Sequence, residues 1–138
     1  MSVFKKDELK IIAAIYLKGD QLQPDYISKT LGIQPTRSQL NGEVSNGKSR
    51  VVYKVGLWAL IAQTNSPLVS VHLNELIKKI GKLKTPLNRM PGIEEAWIDI
   101  FIPVDEEEIN NFKIEFELDN EFLKKILAMG LALRISSY

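Results

Sequence analysis

The sequence predicts one α+β domain with helices laid over one face of a largely antiparallel sheet. Three observations lead there: apolar residues alternate with polar ones in several short segments, recur at helical spacing in others, and Pro and Gly separate the two kinds. The 138-residue length suits a single domain, 1–138, able to bury roughly two-thirds of its unfolded surface without a metal or disulfide staple.

From Leu9 to Leu17 both alternating sets are apolar, Leu9/Ile11/Ala13/Ile15/Leu17 and Ile12/Ala14/Tyr16, which predicts a central strand covered on both faces. Pro24 then opens a short helix on Ile27 and Leu31, and Gly32 closes it. Thr36 to Leu40 reads as a short strand, and Asn41-Gly42 and Asn46-Gly47 as a mobile, hairpin-like loop. Val51 to Ile61 alternates as one long strand in which Gly56 marks a bulge.

Ser66-Pro67 provides an N-cap and first helical position for a helix carrying Val69, Leu73, Leu76, Ile77, Ile80 and Leu83. Lys78, Lys79 and Lys82 lie off that stripe. After Pro86, Pro91 and Gly92, the strand Glu95 to Ile102 sets Ile98/Ile100/Ile102 against Trp97/Asp99/Phe101. Phe112 to Leu118 repeats the alternation, with Glu115 and Glu117 on its polar side. Asp119 caps a last helix with Phe122, Leu123, Ile126 and Leu127, and Leu131/Leu133/Ile135 form a terminal strand. Strand, helix, strand, strand, helix, strand is the ferredoxin-like βαββαβ order, here extended by a further βαβ unit.

The run Asp20-x-Leu22-x-Pro24-Asp25-x-Ile27-x-x-x-Leu31-Gly32-Ile33-x-Pro35-Thr36-Arg37-Ser38 is followed by Gly56-Leu57-Trp58. With Leu118 through Leu127, Gly130-Leu131 and Ile135 to Tyr138, it resembles the bacterial domain-of-unknown-function family 4279 over nearly the full chain. The resemblance implies a compact bacterial cytoplasmic domain and brings no activity with it. Its motif residues also have structural roles of their own. Pro24 and Gly32 start and stop a helix, Pro35 fixes a turn, and Trp58 fills a core.

The residue inventory argues against an enzyme. With no cysteine, thiolate nucleophiles, Cys-based zinc sites and iron–sulfur clusters are excluded. The single histidine, His72, sits beside the apolar stripe of the long helix, where a structural role is expected. No phosphate-binding glycine loop or nucleophile elbow occurs, and Asp105-Glu106-Glu107-Glu108 lacks the Asp-x-Asp-x-Asp-Gly spacing of a calcium loop. No cofactor or metal is expected. The N-terminus turns charged before a signal-like run develops, and no stretch reaches about 18 uninterrupted apolar residues. A cytoplasmic location and no membrane partner follow as expectations.

Charge is distributed unevenly. Glu94 to Glu121 holds eleven acidic residues against Lys113 alone, a net of −10, while the rest of the chain carries +11. If Glu95 to Ile102 and Phe112 to Leu118 pair as a hairpin, Asp99, Glu115 and Glu117 share one face with Trp97 and Phe101, and Asp105 to Glu108 cap it. Trp97, Asp99, Phe101, Asp105, Glu106, Glu107, Glu108, Glu115 and Glu117 then form a surface for a basic protein. A toxin neutralised by an immunity protein is the most concrete case. Lys78, Lys79, Lys82, Lys84 and Arg89 would otherwise meet the acids within the chain. The same split allows a homodimer. Two alternatives are nucleic-acid binding through Arg37, Lys48, Arg50 and Lys54, where Tyr53 is the interleaved aromatic, and a small-molecule sensor.

Overall fold

The computed structural model describes residues 10–45, 51–103 and 116–137. Its elements in chain order are β1 (Ile12–Gly19), α1 (Pro24–Leu31), β2 (Arg37–Gln39), β3 (Gly56–Ile61), α2 (Val69–Ile80), β4 (Glu95–Phe101), α3 (Asn120–Ala128) and β5 (Ala132–Ser136). A 3-10 turn, Leu87–Arg89, precedes β4. The strands form one sheet in the order β2-β3-β1-β4-β5. Every neighbouring pair is antiparallel except β4 and β5, which run parallel.

One apolar cluster binds the layers. It takes Ala13, Ile15 and Leu17 from β1, Trp58 and Leu60 from β3, and Ala96, Ile98 and Ile100 from β4. These are alternate residues, so all project to one side of the sheet. Against them pack Ile27 of α1, Leu73, Leu76 and Ile80 of α2, and Ile126 of α3. All three helices therefore lie on that side, and the other set, Ile12, Tyr16, Leu57, Ile61, Trp97 and Phe101, lies outside the cluster.

Local signals explain the helix ends. Pro24 starts α1, and Gly32 at φ 73° closes it with its N–H on the Ser28 carbonyl. Asp119 caps α3, its carboxylate accepting from Phe122 N–H at 2.8 Å. At α2 the expected Ser66-Pro67 start is displaced, because the helix begins at Val69 after Leu68 and has no side-chain cap. Ser66 instead accepts from Leu68 N–H at 3.1 Å, forming a turn before the helix.

Three strand expectations are corrected. The first strand runs Ile12–Gly19, not Leu9 to Leu17, Leu9 lying outside the described residues, and among the described residues its second face is covered only in part: Ala14 is 2% exposed but Ile12 is 43% exposed. The long strand from Val51 is divided by a bend at Lys54 and Val55. Its first part bridges back to Val44 and its second, from Gly56, is β3. Gly42 N–H meets the Tyr53 carbonyl at 2.7 Å and Tyr53 N–H the Glu43 carbonyl at 2.9 Å, so the predicted loop is a bonded hairpin on both sides of 46–50, which lie outside the described residues.

The third correction concerns Phe112 to Leu118. Residues 112–115 lie outside the described residues, and 116–118 are not a strand. Both sides of β4 are already taken, one by β1 and the other by β5, in register from Trp97↔Ala132 to Phe101↔Ser136. No hairpin partner can join β4 along its length.

Candidate functional site

The open side of the sheet brings together residues far apart in sequence. One row crosses all five strands: Arg37 opposite Ala59, Ala59 opposite Tyr16, Tyr16 opposite Trp97, and Trp97 opposite Ala132. At its centre the Tyr16 and Trp97 rings stack with centroids 5.3 Å apart and planes 25° from parallel. The Arg134 guanidinium lies 4.2 Å above the Trp97 ring. Offset stacking and a cation over an indole face each add attraction beyond buried area, so these three side chains form a pre-ordered plate.

Charges on this face are mixed. Glu95 receives Arg134 at 3.5 Å and Lys18 at 3.9 Å. Asp99 sits opposite Arg134 in the register and accepts from the Ser136 hydroxyl at 3.3–3.4 Å. Glu95, Lys18 and Arg134 are each about half-exposed, so their ion pairs orient the side chains more than they stabilise the fold.

Among the residues predicted for the site, Trp97, Asp99 and Phe101 lie together here, all half-buried on β4. Glu117 does not join them. It lines a small cavity of about 150 Å³ on the helix side, with Ser70, Asn74 and Lys125. Asp105, Glu106, Glu107, Glu108 and Glu115 lie outside the described residues. The lysines of α2 do not reach the acids of β4 among the described pairs: Lys79 meets Glu75 at 3.4 Å, and the cations at Glu95 come from β1 and β5. For the basic stretch, Arg37 belongs to the open face, Lys54 lies in the bend before β3, and Lys48 and Arg50 are outside the described residues.

Tyr16, Lys18 and Arg134 were missed as site residues. Lys18 held the usable signal, because it follows Ile12, Ala14 and Tyr16 at the same spacing and a lysine on that set implies a face that meets water. Arg134 could not be placed without the parallel register of β4 and β5.

His72 takes the structural place expected of it. It is 2% exposed, and its Nε2 lies 2.7 Å from the Ser66 carbonyl oxygen. A carbonyl only accepts, so Nε2 carries the proton, while Nδ1 is buried with no partner among the described residues. The ring borders an open groove of about 490 Å³ between Ile12 and the 62–66 turn. Among the described residues no group of three or more His, Asp or Glu is placed to hold a metal ion, and no helix is long and apolar enough to cross a membrane.

Fold and face together define a one-sheet α+β domain, helices on one side and an aromatic, mixed-charge surface on the other. The chain belongs to the family described as Domain of unknown function (DUF4279), whose profile matches residues 7–138, as the Leu31 to Thr36 and Gly56 to Trp58 motifs implied. No curated protein and no solved structure matches it.

Proposed function

We propose that the domain is a non-catalytic bacterial, cytoplasmic binding protein of immunity type, which takes a basic protein such as a toxin on the open face of its sheet. The observation that carries this reading is the one-sided packing. The three described helices cover one face, and Tyr16, Trp97 and Phe101 are only partly buried on the other, beside Asp99 and Glu95. Ordered aromatics next to carboxylates suit a protein interface, where the rings supply contact area and the charges select a cationic partner. The acidic run Asp105 to Glu108 follows β4 closely in sequence and adds to that selection. The order β2-β3-β1-β4, antiparallel throughout, supports reading these four strands with α1 and α2 as a ferredoxin-like core, to which α3 and β5 are added.

The stack of Arg134, Trp97 and Tyr16 in line with Arg37 favours a second reading, single-stranded nucleic acid on the same face. Glu95 and Asp99 weigh against it, since each repels a phosphate. The test is titration calorimetry of the domain with the basic protein that co-purifies with it, and separately with single-stranded RNA. Trp97→Ala and Asp99→Lys are expected to weaken protein binding at least about tenfold, and Glu117→Lys, on the helix side, to leave it unchanged. Full affinity in both face variants, or RNA binding that falls with salt and with Trp97→Ala, overturns the protein reading.

A further inference from the structure

The two edges of the sheet differ. β2 is three residues long and follows Pro35 closely, features that protect an edge from pairing with another chain. β5 runs five residues without Pro or Gly, with Arg134 as its one charge, and among the described residues no strand pairs with its outer side. Ile102 N–H donates to the Ser136 carbonyl at 2.9 Å, so the backbone groups of Ser136 face β4. Alternation then turns those of Leu133 and Ile135 outward.

An apolar strip lies above this edge. Leu123 and Leu127, four residues apart on α3, are 42% and 79% exposed, and Ile135 on β5 is 56% exposed. Lys125 and Ala128, on the opposite side of α3, border the groove towards α2 with Ile77 and Lys82. Since α3 packs on β5 and α2 on β1, the Leu123/Leu127 side faces the outer edge of the sheet.

We infer that a second copy of this chain pairs with the β5 edge, antiparallel about a two-fold axis at Ile135, to form a dimer with a continuous ten-stranded sheet. Charge selects the copy and the register. An axis at Arg134 would set two guanidiniums against each other. An axis at Ile135 sets Arg134 opposite Ser136 of the second copy, the residue that donates to Asp99, so each cation approaches the other copy's carboxylate. In that register the two Ile135 residues exchange backbone hydrogen bonds, and their side chains meet under Leu123 and Leu127. The inference goes beyond the proposed binding function and needs no partner for its test.

Sedimentation equilibrium of the full chain is expected to give twice the 15.6 kDa chain mass. Ile135→Lys and, separately, Leu127→Lys, both at exposed positions, are expected to raise the dimer dissociation constant at least about tenfold with unchanged circular dichroism. Arg37→Glu at the β2 edge is expected to leave it unaltered. Arg134→Asp should dissociate the dimer, and adding Asp99→Arg should restore it. A monomeric wild type, or a dimer indifferent to both lysine variants, overturns the inference.

Discussion

Trp58 Nε1 donates to Ser28 Oγ at 3.0 Å, joining β3 to α1 inside the core. Trp58 is fully buried and Ser28 is 9% exposed, so the indole N–H has no route to water if the hydroxyl is lost. Ser28→Ala is therefore expected to destabilise the fold by about 1–3 kcal/mol, read as an earlier midpoint in urea unfolding. The pair is separable from the packing by a double-mutant cycle. Ser28→Ala in a Trp58→Phe background removes an acceptor that nothing then needs, and should cost less than it does alone. Equal costs in both backgrounds would show that the hydrogen bond contributes nothing.

Gly56 and Gly19 face each other where β3 begins and β1 ends. A Cβ at Gly56 would lie 2.8 Å from the Leu22 carbonyl oxygen and 2.9 Å from that of Gly19, both backbone atoms that cannot swing aside. Gly56→Ala should cost about 3 kcal/mol or more. At Gly32 no atom would come within 4 Å of a Cβ, and only the positive φ opposes alanine, for which about 1–2 kcal/mol is expected. Thermal unfolding of the two variants side by side checks the order. A larger loss at Gly32 would mean that the backbone crossing at Gly56 relaxes easily.

These two glycines also show what the sequence made legible. Gly32 announces itself because a helix end is a local event, as do Pro24 and the Asp119 cap. Gly56 reads as a bulge because its constraint comes from Gly19 and Leu22, at the two ends of the turn after β1, which only the folded chain brings near. The site divides in the same way. Alternation along β4 placed Trp97, Asp99 and Phe101 on one face, but alternation names no partner strand. The parallel β5 took the side of β4 that a hairpin from Phe112 to Leu118 would have needed. Among the described residues, Arg134 and Ser136 therefore stand beside β4 where a carboxylate such as Glu117 was expected, and the charges there are mixed.

Acid should weaken one identifiable contact between α2 and the turn before it. Burial pushes the Glu75 carboxyl up, but the Gln63 N–H, the Lys79 ammonium and the Thr64 N–H together outweigh this and hold it below the usual carboxylate value. A carboxylate whose folded pKa is depressed contributes stability that is present above its unfolded pKa and is lost as pH falls through the folded one. Glu75→Gln removes the charge while keeping an oxygen for Gln63 N–H. The wild type is therefore expected to unfold at a higher temperature than Glu75→Gln at about pH 7, with the gap closing towards about pH 3. The comparison isolates Glu75, because every other carboxylate titrates in both proteins. A gap that stays constant across that range would mean that the charge on Glu75 contributes nothing to holding the turn on the helix.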